Sequence, residues 1–332
     1  MSNIIKQLKM RTLALIIAIV ALTGCNEKSS TEVVIRNHST DSIRNVALTI
    51  QRSALTSFPG FSEHLLPVLR DEKGNDIPTQ ADDLDHDGIW DELFFMTDLL
   101  PHQTRNVHVA WVEPGEAPVL QPRTNIRFAA KNENYREVIT ATRETHAINT
   151  KTQQVWQMEG PAWENERIGF RNYFDRRNGM DIFGKVTHEM VLDQVGYKDN
   201  PSYHTFNPEW GVDVLKVGNS LGAGSLAFLY RDSLYRVGDN GSGECTVIAE
   251  GPLRSILRFR FRDWSMGDQV LQVVHDVMIF AGTRYYQSEI SWEGNEEKIY
   301  PVTGIVNMKS DQLYRVEEQK NALAFYTHDK QS

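Results

Sequence analysis

From residue 31 onward the chain repeatedly alternates apolar and polar side chains. Val107, Val109 and Trp111 alternate with Asn106, His108 and Ala110, the spacing of a half-buried strand. Leu257, Phe259 and Phe261 alternate with Arg258, Arg260 and Arg262, and Val270 to Ile279 and Tyr286 to Trp292 continue in the same manner. Val33 to Ile35 and Val46 to Ile50 are β-branched runs separated by a polar turn. Leu66 to Arg70, then Asp71 to Asn75, then Asp76-Ile77-Pro78, reads as a hairpin. Asp239-Asn240-Gly241-Ser242-Gly243 carries Asn-Gly, a strong hairpin signal. No long segment of period 3.6 follows residue 25. The predicted fold is all-β.

Pro114-Gly115-Glu116-Ala117-Pro118 interrupts the pattern. It divides a small N-terminal β-sandwich over 32–115 from a large β-sandwich over 119–332, a length normal for one sheet domain. The chain stops at His328-Asp329-Lys330-Gln331-Ser332 without a closing strand signal. The sequence thus reads as a piece of a longer protein.

The first 24 residues follow another pattern. Lys6, Lys9 and Arg11 precede an apolar run from Leu13 to Leu22, too short to span a bilayer permanently. Leu22-Thr23-Gly24-Cys25 looks like a lipobox. The expectation is a signal peptide over 1–24, lipidation of Cys25, a tether over 25–31 and an outer-membrane lipoprotein, since two acyl chains hold a protein where one does not. Losing residues 1–24 removes three cations and no acids, so the net charge moves from −9 to −12. That sign disfavours nucleic acid as a partner. Cys245 is then the second of two cysteines and has no intrachain partner.

Asp83-Leu84-Asp85-His86-Asp87-Gly88-Ile89-Trp90-Asp91-Glu92 resembles a calcium loop. Asp83, Asp85 and Asp87 sit at its first, third and fifth positions, Gly88 permits the sharp turn, and Asp91 and Glu92 could add oxygens. The position of the usual terminal Glu is Phe94, so the run reads either as a structural Ca2+ site or as an acidic hairpin turn. Gly218-Asn219-Ser220-Leu221-Gly222 matches a nucleophile elbow, but the motif needs a helix after it and a strand is predicted instead. A glycine-rich turn is the preferred reading. His188, His204 and His275 lack metal-ligand spacing, and His275, among Val273, Val274 and Val277, reads as a core or groove residue.

Residues 156–224 break the alternation with Trp, Tyr, His, Lys, Arg and Glu among glycines, a composition suited to a polar planar ligand such as a sugar. Tyr203-His204 falls in a loop-like run before an aromatic–glycine strand and suits acid–base work. Arg167 and Arg171, four apart, would share one strand face and could hold a carboxylate or sulfate. Gly160 to Arg167, Met180 to Lys185 and Trp210 to Gly222 resemble the signature blocks of domain-of-unknown-function family 4861, and Asp83–Leu93 resembles its N-terminal block. The resemblance covers most of 32–332. It implies lipoproteins and secreted proteins of polysaccharide-degrading bacteria, particularly Bacteroidetes. One branch is associated with dehydrating uronic-acid-ended oligosaccharides from ulvan-like polymers.

The expected function is therefore a lyase-type dehydration of a terminal uronic acid. His204 is the expected base and Tyr203 the acid. Arg167, Arg171 and Lys185 would neutralise the carboxylate, Trp163 and Trp210 would form stacking walls, and Glu164 and Asp213 would complete the substrate contacts. Two alternatives stay open. A glycoside hydrolase would draw a carboxylate pair from Glu164, Glu166, Glu209 and Asp213. A non-catalytic sugar-binding lipoprotein would need the aromatics alone.

Overall fold

The computed structural model describes residues 4–8, 31–143, 155–198, 200, 202–294, 298–307, 310, 312–319 and 322–327. Within them the chain is all-β, built from antiparallel sheets. The apolar segment Leu13–Leu22 and Cys25 lie outside the described residues. Ile4–Leu8 pairs with the strand Tyr286–Gly294. No described helix is long and apolar enough to cross a membrane.

Between Glu32 and Val112 the described strands pair only with one another. Glu32–Arg36, Thr104–Val112, Leu66–Arg70 and Asp76–Ile77 form one sheet, and Ile43–Gln51, Glu92–Leu99 and Thr79–Asp82 form the other. Val33, Ile35, Val107 and Val109 from the first meet Leu48, Ile50, Leu93 and Phe95 from the second. The hairpin read from Leu66–Ile77 is present, with Leu69 opposite Ile77.

Beyond the linker, the strands Gln269–Phe280 and Arg254–Met266 lie at the centre of a six-stranded sheet. Leu257, Phe259 and Phe261 point into the core, as their alternation required. Against them pack a five-stranded sheet (Thr124–Arg127, Ala162–Asn165, Ile168–Asn172, Met180–Lys185, Gly211–Asp213) and a three-stranded sheet (Ala223–Tyr230, Ser233–Arg236, Tyr300–Ile305). Trp163, Phe170 and Met180 from the five-stranded sheet join Phe228, Trp264, Val277 and Trp292 in this core.

Two turns differ from expectation. Asn240-Gly241 does not close a hairpin. It carries the chain from Ser233–Arg236 in one sheet to Ser242–Glu250 in another. Asn240 and Asp239 instead hydrogen-bond Ser265 and the Trp264 indole, pinning the crossover to a neighbouring strand. At the C-terminal end, Tyr314–Gln319 and Ala322–Tyr326 pair as a two-stranded hairpin, where no terminal strand was expected.

The two sandwiches meet through Phe94, Ile248, Leu253, Ile256, Met278 and Phe280. A buried ion pair runs through this contact. Arg254 donates from Nε to Asp82 at 2.8 Å and also meets Glu92. Gln80 accepts from the Leu253 and Arg254 amides.

Candidate acid–base site

The five-stranded sheet has two unlike faces. One packs Trp163, Phe170 and Met180 into the core. Strand alternation sends their neighbours to the other face. Register then lines up Ala162 with Arg171, Arg171 with Asp181, and Phe183 with Asp213, while Lys185 lies opposite Gly211. Gly211 has φ +132, and a Cβ there would strike the Gly184 carbonyl. Only glycine permits that approach.

The described residues between Val186 and Trp210 cover this outer face. Leu192 and Val195 pack on Met158, Ala162 and Phe183, with Tyr203 and Trp210 alongside. The rings of Tyr203 and Trp210 each stand edge-on to Phe183 at 6.0 Å. Two polar nodes fasten the cover to the sheet.

The first node is structural. Glu164 and Lys185 form an ion pair whose side chains are both wholly buried. Glu164 Oε1 also accepts from the Val191 and Leu192 amides, each at 2.7 Å. Lys185 Nζ donates to the Asn165 carbonyl at 2.8 Å. Lys185 is therefore not a free cation for a substrate carboxylate, and Glu164 is not a free carboxylate.

The second node reaches solvent. Arg171, 0% exposed, donates from Nη2 to Asp181 at 2.7 Å, to the Tyr173 hydroxyl at 2.6 Å and to Asp213 at 3.0 Å. The Tyr173 hydroxyl donates to Asp181 at 2.8 Å. The Tyr203 ring lies 4.9 Å from the Arg171 guanidinium carbon. His204 Nδ1 stands 3.1 Å from Asp213 Oδ2, and its side chain is 60% exposed. The expected Tyr203–His204 pair is thus joined by Arg171 and Asp213 in one connected group.

Burial tunes these groups. It pushes the Asp213 carboxyl up to about 7, with the neighbouring Asp181 charge acting in the same direction and Arg171 against it. Burial, then the Arg171 charge, hold the His204 imidazole below its usual 6.5. Burial raises the Tyr203 phenol and keeps it protonated. His204 is consequently a neutral base near pH 7, beside a carboxyl that still carries a proton part of the time.

A cleft of about 480 Å³ opens beside Tyr203. Gln194, Asn200, Phe206, Asn207, Glu209 and Trp210 line it. Trp210 thus stands where an aromatic wall was expected. Trp163 does not: it is 1% exposed and faces the core, because strand alternation sends it opposite to Glu164. Arg167 lies in the turn before Ile168–Asn172 rather than in the strand, exposed and with no hydrogen bond or ion pair to the described residues of that node. Glu166, the remaining hydrolase candidate, pairs with Arg123.

Sequence reasoning missed Glu159, Tyr173, Asp175, Arg177 and Asp181. Arg177 bonds Glu159 at 2.6 Å and Asp175 at 2.7 Å, and lies 3.9 Å from the Tyr173 ring centroid. Glu159 holds φ +66, a conformation that costs about 1–3 kcal/mol and clusters at working sites. A signal did exist: Asp181, Phe183 and Lys185 alternate with Met180, Ile182 and Gly184, which assigns charged residues to one face.

The remaining candidates are accounted for. In the acidic loop, ligand oxygens of Asp83, Asp85 and Asp91 lie within 4.8 Å of one another. Asp87 Oδ1 accepts from the Ile89 amide, and Glu92 turns away to Arg254 and Gln51. Three of the five expected ligands therefore converge, a donor set that suits a hard cation. Ser220 bonds the Val217 carbonyl in a turn followed by strand Ala223–Tyr230, so no nucleophile elbow forms. His275 is buried, with Nε2 2.9 Å from Ser288 Oγ. His188 bonds the Glu166 carbonyl, and Cys245 is buried and free.

An all-β scaffold carrying a buried arginine–carboxylate node under a covering segment defines the class of protein. Residues 35–332 match the family model described as Domain of unknown function (DUF4861), and the chain belongs to that family. It is 21% identical over 237 residues to uncharacterized protein P7 of Formosa agariphila, covering 67% of this chain and 53% of that relative. The chain therefore spans about half the length of the curated relative it matches. No solved structure matches it.

Proposed function

We propose that the protein is a carbohydrate-active lyase that dehydrates the terminal uronic acid of oligosaccharides from an anionic polysaccharide. The observation that carries this reading is the connected group His204–Asp213–Arg171–Tyr203 beside an aromatic- and amide-lined cleft. Neutral His204 takes the proton from C5. The electrons of that bond form the C4–C5 double bond, and Tyr203 protonates the C4 hydroxyl, which leaves as water. Because Arg167 and Lys185 do not serve the substrate carboxylate, its developing charge falls to the amides of Gln194 and Asn207 and to the proton on Asp213. Arg171 acts through its neighbours, fixing Asp213 and Tyr203.

A second reading has an observation of its own. Asp213, raised to about 7, and Glu209, which lines the cleft beside Tyr203, could act as the acid and partner carboxylate of a hydrolase. Products separate the readings. Dehydration of a uronic-acid-ended oligosaccharide creates near-ultraviolet absorbance, hydrolysis creates reducing ends, and simple binding creates neither. We expect absorbance to grow with the native protein. His204→Ala should slow it by about 10²–10⁴-fold with an unchanged melting temperature. New reducing ends without absorbance would transfer the site to the hydrolase reading.

Two accompaniments belong to this proposal. The protein is held at the outer membrane by lipid on Cys25, so Cys25→Ser should move it from the detergent phase to the aqueous phase, and unchanged partitioning would refute the anchor. A structural Ca2+ sits on Asp83, Asp85 and Asp91. It stabilises the folded state by mass action, so chelator should lower the melting temperature. If chelator leaves that temperature unchanged, the loop is an acidic turn only.

A further inference from the structure

Four arginine side chains in this protein bind carboxylates in one way that Arg52 does not share. Arg171, Arg177, Arg254 and Arg258 each present the edge formed by Nε and Nη2 to a carboxylate, of Asp181, Asp175, Asp82 and Asp276 respectively. That edge is shaped for an acidic group with two oxygens. At Arg52 the same two nitrogens are buried and meet no acceptor. The guanidinium carbon lies 5.4 Å from the Phe61 ring and 5.7 Å from the Trp90 ring. Trp90 Nε1 is also buried without an acceptor. Trp111 packs on Phe61 and Trp90, with centroids 5.3 and 6.4 Å away, and its own indole is satisfied by the Pro59 carbonyl.

Three donors are therefore left open in one aromatic frame of the small sandwich. Each costs about 1–3 kcal/mol while unpaired, which a fold tolerates where something else completes the bonds. We infer that Arg52 and Trp90 form a binding site for a carboxylate or sulfate group on a sugar whose ring lies against Phe61 and Trp111. The guanidinium edge and the indole N–H supply three donors to the acidic oxygens. The aromatic walls favour a ligand with an apolar C–H face over a bare hydrated ion. Phe61 and Trp111 are half-buried, and Phe61 sits in the irregular stretch between Leu55 and Leu66. For the ligand to reach the buried edge, the half-buried Phe61 ring must swing aside. The site is independent of the Tyr203–His204 chemistry and does not rest on it.

Calorimetric titration of the whole protein tests this, with methyl galacturonoside, glucose 6-sulfate, sodium sulfate and methyl glucoside as probes. Both acidic sugars, or one of them, should bind; the tighter shows whether carboxylate or sulfate is the natural group. Arg52→Gln should weaken that binding at least tenfold without changing turnover at the other site. Phe61→Ala should lose the preference for the sugar over inorganic sulfate, a readout that stands if Arg52→Gln fails to fold. The inference is overturned if neither acidic sugar binds, if methyl glucoside or sodium sulfate binds as tightly, or if both variants titrate as the native protein does.

Discussion

Asp213 shows how much one side chain inherits from its neighbours. Its oxygen Oδ2 lies between Arg171 and His204, within 3.0 and 3.1 Å. Its carboxyl titrates near 7 because burial opposes the charge more than Arg171 relieves it. Under the proposed chemistry this sets the pH profile. Raising the pH through about 7 removes the Asp213 proton, so turnover should fall. Lowering the pH below the depressed range of His204 protonates the base, so turnover should fall there too. The profile should be a bell centred below neutrality, and Asp213→Asn should erase its alkaline limb. An alkaline limb that survives in the variant would remove Asp213 from the mechanism.

At the scale of elements, the covering segment 186–210 is held by a charge pair that neither partner announces in the sequence. Glu164 and Lys185 are 21 residues apart, on strands separated by Ile168–Asn172. Removing one partner leaves the other charged and buried, which typically costs about 3–5 kcal/mol. Lys185→Met should therefore destabilise the protein by that order in urea melts, and adding Glu164→Gln should restore part of it. A loss under about 1 kcal/mol for Lys185→Met would show that water reaches the pair.

The same pair shows where the sequence stops being legible. Strand identity was readable wherever a single face is apolar, as at Leu257–Arg262 or Leu66–Ile77. The Tyr203-His204 loop stood out because it broke the pattern. What alternation alone does not give is strand register and partner. Trp163 reads as a sugar wall until its strand is placed between two others, when its face becomes the core. Arg171 and Lys185 read as substrate cations until register sets Asp181 and Glu164 beside them. Asn240-Gly241 reads as a hairpin because the signal is local, whereas its Ser265 and Trp264 bonds are not.

At the scale of the whole molecule, the small sandwich is not a loose appendage. His86 of the acidic loop reaches the Ile248 carbonyl at 3.0 Å, Leu84 packs into the contact between the sandwiches, and Arg254 inserts its charge between Asp82 and Glu92. The covalent connection at 114–118, by contrast, is almost wholly exposed. A protease that nicks the chain there would sever the backbone without separating the pieces. Parting them would strip Leu253, Ile256 and Phe280 of their cover and strand the Arg254 charge in an apolar surface. The nicked halves should co-elute as a two-chain complementation pair, and either half made alone should aggregate.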